Sequence, residues 1–172
     1  ITVTATDVDG DGITYSISGG ADQSKFSIDG SSGALTFSSA PDYENPTDVG
    51  TNNTYVVEVT ASDGSLTDAM TITATVTDAN EAPSITSSNS ANVAENTTSV
   101  ITVTATDVDG DGITYSISGG ADQSKFSIDG SSGALKFSSA PDYENPTDVG
   151  TNNTYVVEVT ASDGSLTDAM TI

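Results

Sequence analysis

The sequence contains one acidic segment twice, TDVDGDG, in which aspartates stand two residues apart. In its second occurrence these residues are Asp107, Asp109 and Asp111. Three carboxylates at this spacing repel one another unless a cation lies among them, and Ca²⁺ takes carboxylate oxygens as ligands. An Asp-Gly pair is also a strong signal for a hairpin turn. The segment therefore predicts either a tight turn or a cation site, and the sequence leaves both alternatives open.

An EF-hand is the most familiar calcium loop with aspartates at alternate positions, so we considered it first. Asp107, Asp109 and Asp111 match its first, third and fifth positions, and Gly112 matches the invariant glycine that follows. The last loop position needs a bidentate acid, but it is Ser118 here, and the flanking residues have strand patterns instead of helical ones. We therefore exclude an EF-hand and retain an acidic loop with calcium-ligand spacing.

The composition restricts the chemistry further. The chain has 25 acidic and three basic residues, a formal net charge of -22, and neither His nor Cys. This charge disfavours nucleic acid and direct membrane contact as partners, because both are anionic. Without imidazole or thiolate, the available ligands are oxygens, which suit Ca²⁺. Paired acids such as Asp142 and Glu144 could act in glycoside hydrolysis, but cation binding already accounts for them, and we predict that the protein is not an enzyme.

The chain is an internal repeat. Residues 1–72 and 101–172 are identical except for Thr36 against Lys136, so the period is 100 residues, the size of a whole small domain. We predict a first repeat at residues 1–80, an acidic linker end at 81–83 and a second repeat at 84–172. The first repeat is expected to lack its first strand and the second its closing strand. We expect the unpaired strand edges either to be completed head to tail by neighbouring molecules or to fray.

Each repeat alternates apolar and small polar residues in short runs such as ITYSIS and TYVVEVTAS, separated by turn signals such as DGSSG. About seven such strands in about 100 residues favour a sandwich. We predict an all-β protein of two tandem immunoglobulin-like Greek-key β-sandwiches. Tyr15, Phe26, Phe37 and Tyr55 recur in alternating positions and are predicted to lie in the core.

The remaining acids form a recurring set of motifs: AEN, DVD, DYE, ASD and DANEAP. At these motifs the sequence resembles the cadherin family. Its extracellular repeats carry Glu at the end of the first strand, then Asp-x-Asp, Asp-x-Glu, an Ala-x-Asp-like aspartate and an Asp-x-Asn-Asp-Asn-x-Pro linker. All five motifs occur here in the family's order, although the linker is one residue shorter. Nearly identical, Cys-free acidic repeats are most similar to bacterial cadherin-like modules of large surface adhesins.

The resemblance implies Ca²⁺ between successive repeats, with ligands from both repeats and the linker. Carried over residue by residue, the complete junction comprises Asp42, Glu44, Asp78, Asn80, Glu81, Asp107, Asp109 and Asp163. Further half-sites comprise Asp7, Asp9, Asp63, Glu95, Asp142 and Glu144.

The resemblance also implies a function. We predict a calcium-binding extracellular module, secreted or at the cell surface, in which Ca²⁺ rigidifies a tandem array and supports adhesion. Its partners are neighbouring repeats of the same protein, with identical repeats on another cell or a surface glycan as further candidates. The alternative is a carbohydrate-binding accessory module of an extracellular polysaccharide-degrading protein. That alternative requires an exposed aromatic platform, and the chain has no Trp.

Overall fold

The computed structural model describes residues 1–172, which form two compact units, Ile1–Ala79 and Asn80–Ile172. Both units consist of β-strands with one three-residue 3-10 turn each, and neither contains an α-helix. The predicted all-β class is confirmed. None of the helical segments has the length and apolar character needed to cross a membrane.

The first unit contains two sheets. Its strands are β1 (Thr14–Gly19), β2 (Phe26–Ile28), β3 (Leu35–Phe37), β4 (Thr54–Ser62) and β5 (Thr67–Thr75). One sheet has the order β1-β4-β5 and the other pairs β2 with β3, all antiparallel. Since β1 pairs with β4 and β2 with β3, the chain crosses between sheets, as the predicted Greek key requires.

The second unit repeats this plan with additional strands. They are β6 (Ser84–Ile85), β7 (Ser99–Thr102), β8 (Ala105–Thr106), β9 (Thr114–Gly119), β10 (Phe126–Ile128), β11 (Ala134–Phe137), β12 (Glu158–Ser162) and β13 (Thr167–Thr171). Its main sheets have the orders β10-β11-β7 and β13-β12-β9, and β6 pairs with β8.

The core of each unit lies between its two sheets. In β4 the alternating sequence buries Tyr55, Val57 and Val59, which pack with residues of β2 and β3 such as Phe26 and Leu35. Alternate residues of a strand point to opposite faces, so one face of β4 supplies the core. The alternation of apolar and polar residues thus correctly predicts β4 and its buried face.

The aromatic side chains pack as predicted. Phe26 and Phe37 stack with ring centroids 4.6 Å apart, and Tyr55 meets Phe37 edge to face at 5.1 Å. Tyr15 is half-buried against the same core. Each unit exposes a single tyrosine, at position 43 or 143.

The segment ITVTAT behaves differently in the two units. In the first unit Ile1–Thr6 forms only an isolated bridge between Thr2 and Ala34. In the second unit residues 101–102 end β7, which pairs with β11, and residues 105–106 form β8, which pairs with the additional strand β6. The second half of the segment is therefore a strand only where β6 supplies a partner.

The DGSSG turn contains an aspartate that accepts three hydrogen bonds. Asp129 Oδ1 accepts the N–H groups of Ser131 and Ser132 and the Ser132 hydroxyl, at 3.1, 2.8 and 2.9 Å. The Ser132 N–H, then its hydroxyl and the Ser131 N–H, hold the pKa of Asp129 below the usual range. Asp29 has the same partners in the first unit, but only Asp129 is also near a lysine, Lys136. The single difference between the repeats therefore acts on this carboxylate.

We expect Asp129 to titrate at a lower pH than Asp29, and Lys136→Thr to remove the difference. Because both folded-state pKa values lie below the unfolded value of about 3.9, each turn contributes its full stabilisation above that pH and loses it as the pH falls through the folded value. Carboxyl ¹³C NMR titration at low salt measures both residues in one molecule. Identical titration of Asp29 and Asp129 in the unaltered chain would contradict the assignment to Lys136, whereas added salt should narrow the difference.

Candidate metal centre

The acidic loop of the second unit forms a turn. Asp107 Oδ1 accepts the N–H groups of Asp109 and Asp111, at 3.0 and 3.4 Å. An aspartate that accepts backbone N–H groups two and more residues ahead stabilises a turn without help from a metal. One carboxylate oxygen of Asp107 therefore serves the turn that the Asp-Gly signals predict.

The other oxygen of Asp107 has a different environment. Asp107 Oδ2 and Asp109 Oδ1 are both buried and have no hydrogen-bond partner. Burying a charged oxygen without a partner is costly, and a bound cation removes that cost. The two oxygens are therefore available to a cation, while the turn keeps Asp107 Oδ1.

Asp111 lies beside these two residues. The carboxylates of Asp107, Asp109 and Asp111 each place an oxygen within 4.8 Å of the others, and the first two side chains are half-buried. The sequence left Asp111 open between a turn residue and an acid close to a cation site. Its N–H does contribute to the turn, and its carboxylate also adds a third negative charge to the group. In the first unit Asp7 Oδ1 accepts the Asp9 N–H at 2.9 Å, so the same turn forms there.

The first residues of the second unit contact the same loop. The Glu81 N–H donates to Asp109 Oδ2 at 2.9 Å, and oxygens of the two carboxylates lie within 4.8 Å of each other. The Asn80 amide donates to Asp163 Oδ2 at 2.8 Å. In the second unit Asn80 thus contacts Asp163, and Glu81 contacts Asp109, which lies beside Asp107. These are the five junction residues that the sequence predicts for this unit.

Asp163 is held in its ionised form. Its Oδ1 accepts the N–H groups of Ser165 and Leu166, both at 2.6 Å. The Leu166 N–H, followed by the Ser165 N–H and the Asn80 amide, lowers the pKa of Asp163 below the usual range. An aspartate with these partners remains negative at any pH near neutral and can bind a cation without first losing a proton.

Within the first unit, oxygens of Glu44 and Asp78 lie within 4.8 Å of each other. Asp42 Oδ1 accepts the N–H groups of Glu44 and Asn45, both at 3.1 Å, and so shapes the loop that carries Glu44. Asp63 accepts the N–H groups of Ser65 and Leu66, as Asp163 does with their counterparts. The turn hydrogen bonds of the acidic motifs therefore recur in both units.

A separate acidic group lies elsewhere in the second unit. It consists of Glu95, Asp142 and Glu144, which are exposed and place carboxylate oxygens within 4.8 Å of one another. Glu95 Oε2 also accepts the Tyr143 N–H at 3.2 Å. Three residues predicted as half-site ligands are therefore brought together from two distant segments of the sequence.

Sequence reasoning missed four buried aspartates that bind the end of the segment between β3 and β4 and of its counterpart between β11 and β12. Asp122 is 1% exposed and accepts the N–H groups of Val149 and Val156, at 2.6 and 2.8 Å. Asp148 accepts those of Asn152 and Asn153. Asp22 and Asp48 make the same contacts in the first unit. The sequence offers no signal that separates these aspartates from exposed ones.

A close backbone approach at Gly120 explains how Asp122 reaches its partners. Gly120 has φ +99°, and a Cβ at this position would lie 2.5 Å from the Val157 Cα. Only glycine permits both this backbone angle and this approach. The loop can therefore dock closely enough for the Asp122 N–H to donate to the Val156 carbonyl at 2.9 Å.

The donor set fits a hard divalent cation. It consists of carboxylate and amide oxygens, the ligands that Ca²⁺ prefers, without nitrogen or sulfur ligands. The buried, unpartnered oxygens of Asp107 and Asp109 add a specific reason for a cation at this loop.

Three kinds of comparison relate the chain to known proteins. A family model described as the cadherin domain matches residues 1–77 and 89–172. The chain is 36% identical over 162 residues to human protocadherin Fat 1, covering 88% of this chain and 3% of that protein. It is 49% identical over 37 residues to halomucin from Haloquadratum walsbyi (strain DSM 16790 / HBSQ001), covering 22% of this chain and 0% of that protein after rounding.

Among solved structures, the chain is similar to human protocadherin-24 EC1-2 in its crystal form II. The TM-score is 0.62 at 23% sequence identity, with all of this chain and 82% of the other covered. At that identity the similarity supports the fold alone. The chain spans only 3 to 6% of the length of the first curated relatives that it matches.

Proposed function

Because the chain belongs to the cadherin family, we propose that it is a calcium-binding extracellular module of a tandem array, in which Ca²⁺ at the junction between repeats stiffens the array and supports adhesion. The observation that carries the proposal is the pair of buried, unpartnered oxygens, Asp107 Oδ2 and Asp109 Oδ1.

In the proposed site, Asp107 and Asp109 are the central ligands of the second repeat. Glu81 and Asp163 supply further carboxylates, and Asn80 offers its side-chain oxygen while its amide nitrogen contacts Asp163. Asp42, Glu44 and Asp78 of the first repeat are assigned to the same junction on their sequence motifs. Calcium supplies the positive charge that lets these carboxylates remain close together.

The proposed effect is mechanical. Without a cation, carboxylates from both repeats and from the linker repel one another, and the linker can bend. Ligands bound to one cluster of ions hold the linker at a fixed angle. Extracellular calcium-binding modules have affinities of about 10⁻⁴ to 10⁻³ M, so such a junction would be filled in calcium-rich surroundings outside the cell.

The same proposal covers location and partners. We assign the module to a secreted or cell-surface protein. Its immediate partners are the neighbouring repeats of the same protein, and identical repeats on another cell are its second proposed partner. A surface glycan is a weaker candidate, because each unit has a single exposed tyrosine. The proposed role involves no catalysis, since the paired acids act as cation ligands.

Thermal unfolding in EGTA and in a few millimolar Ca²⁺, with Mg²⁺ as control, tests the proposal. A ligand that binds only the folded state stabilises by RT ln(1 + [L]/Kd), about 1 to 2 kcal/mol per site at these concentrations and affinities. That corresponds to a rise of several degrees in the midpoint for a domain of this size. We expect a clear rise with Ca²⁺ and a much smaller one with Mg²⁺. An unchanged midpoint in Ca²⁺ would limit the acidic loop to its turn.

A further inference from the structure

The loop before β4 contains an Asn-x-Thr triplet that the proposed cation site does not use. It spans residues 52–54, and the same triplet recurs at residues 152–154 in the second unit. A triplet of this kind accepts N-linked glycans on surface loops of secreted proteins, provided that its middle residue is not proline. Residues 96–98 form a third such triplet, whereas those that begin at residues 45 and 145 contain proline. The sequence pattern alone therefore gives three equivalent acceptors.

Hydrogen bonds within its own loop hold Asn52 in one conformation. Its Oδ1 accepts the Thr54 N–H at 3.0 Å, which forms an Asx turn. Its backbone N–H donates to Oδ2 of Asp48 at 3.0 Å, and Asp48 is only 4% exposed. The corresponding residues of the second unit make the same two contacts at 2.9 Å each. A buried carboxylate thus fixes the turn in both units.

The side-chain nitrogen in this turn is available for reaction. Nδ2 of Asn52 and Nδ2 of Asn152 make no hydrogen bond, and both residues are exposed. The following residues pair with β5 in the first unit but precede β12 in the second. Because both asparagines are exposed in spite of this difference, their accessibility does not depend on how the neighbouring strand is paired.

The triplet that begins at Asn96 has a different environment. The Asn96 N–H donates to the Pro141 carbonyl at 2.9 Å, and the Thr98 carbonyl accepts the Phe137 N–H at 2.8 Å. Both ends of this triplet are therefore tied to a segment about 40 residues away in the sequence. The hydrogen bonds of Asn52, in contrast, all lie within residues 48–54. Only the loop triplet can enter the site of another protein without breaking contacts to a distant segment.

We propose that Asn52 and Asn152 are acceptor sites for N-linked glycans, and that Asn96 is not one in the folded chain. The donor is an oligosaccharide linked to a polyprenyl diphosphate. In the transfer, Nδ2 forms a bond to the anomeric carbon of the sugar, and the bond from that carbon to a phosphate oxygen breaks. The lipid diphosphate leaves with the bonding electrons, and the Nδ2 proton passes to a base on the transferase. The proposal rests on the extracellular location proposed above, but it does not depend on calcium.

The test uses the folded whole chain, a polyprenyl-diphosphate oligosaccharide and a single-subunit oligosaccharyltransferase that accepts Asn-x-Thr without further sequence requirements. Mass spectrometry measures the occupancy of each asparagine over time. Cleavage after the lysines leaves Asn152 on residues 137–172, and cleavage after Glu58 then separates Asn52 from Asn96. We expect Asn52 and Asn152 to react at least about tenfold faster than Asn96, because freeing the Asn96 triplet breaks two backbone hydrogen bonds.

Two controls separate the fold from the sequence. Synthetic peptides of residues 48–56 and 92–100 should react within about threefold of each other, because neither has a fixed structure. Asn52→Asp keeps the oxygen that accepts the Thr54 N–H and removes only the reacting nitrogen. We expect this variant to lose one glycan and to retain the modification of Asn152.

The proposal is overturned by any of three results. In the first, the peptide of residues 48–56 is not an acceptor, although a standard acceptor peptide reacts. In the second, that peptide reacts but Asn52 and Asn152 of the folded chain do not. In the third, Asn96 of the folded chain reacts as fast as Asn52. The measured quantity is a covalent mass increase, so thermal unfolding with Ca²⁺ decides the calcium proposal separately.

Discussion

Asp107→Asn should remove most of the calcium-dependent rise in the unfolding midpoint while leaving the midpoint in EGTA nearly unchanged. The asparagine keeps an oxygen that can accept the Asp109 N–H, so the turn is retained. It loses the negative charge and offers an amide nitrogen in place of one carboxylate oxygen, which weakens binding of a hard cation. Thermal unfolding with and without Ca²⁺ measures both quantities for one variant, and we expect a loss of about 1 to 2 kcal/mol of calcium-dependent stabilisation.

Asp7→Asn is the matched control, because Asp7 makes the same turn in the first unit with Asp9 and Asp11, at 2.9 and 3.1 Å. It lies outside the proposed complete junction, so its calcium response should remain close to that of the unaltered chain. Equal losses in both variants would assign the effect to a general change in charge. A normal calcium response in Asp107→Asn would remove Asp107 from the site.

The fold could be predicted well because its signals are local and repeated. Alternation in TYVVEVTAS gave both the strand and its buried face, and β4 buries Tyr55, Val57 and Val59 accordingly. The internal repeat then extended this interpretation to the second copy. The segment ITVTAT shows the limit, because its strand state depends on a partner strand that pattern alone does not supply.

The candidate site was harder to predict from the sequence than the fold. The motif spacing identified Asp107 and Asp109, but it could not show that each aspartate uses one oxygen for a hydrogen bond and leaves another buried without one. The spacing also indicated that Asp111 lies close to them, but a turn accounts for its position equally well, so its role stayed open. These distinctions depend on side-chain rotamers and on long-range contacts such as that of Glu81 with Asp109.

Removing the Asp122 carboxylate should cause one of the largest losses of stability available in the second unit. In Asp122→Ala the N–H groups of Val149 and Val156 lose their acceptor in a buried position. An unsatisfied buried donor costs about 1 to 3 kcal/mol. Because two donors lose their acceptor, we expect the free energy of unfolding of this unit to fall by roughly 2 to 6 kcal/mol. Amide exchange at Val159 reports the second unit, and exchange at Val59 reports the first.

Asp22→Ala is the equivalent variant in the first unit and should lower the stability of that unit instead, because Asp22 makes the same two contacts there, at 2.6 and 2.8 Å.

The two variants, Asp22→Ala and Asp122→Ala, should also differ in their response to calcium. The loop held by Asp22 carries Asp42 and Glu44, which are assigned to the proposed complete junction, whereas the corresponding loop of the second unit carries half-site residues. Asp22→Ala should therefore also reduce calcium-dependent stabilisation, and Asp122→Ala should retain more of it. If both variants kept the full calcium response, the first repeat's loop would not contribute ligands, and the site would belong to the second unit alone.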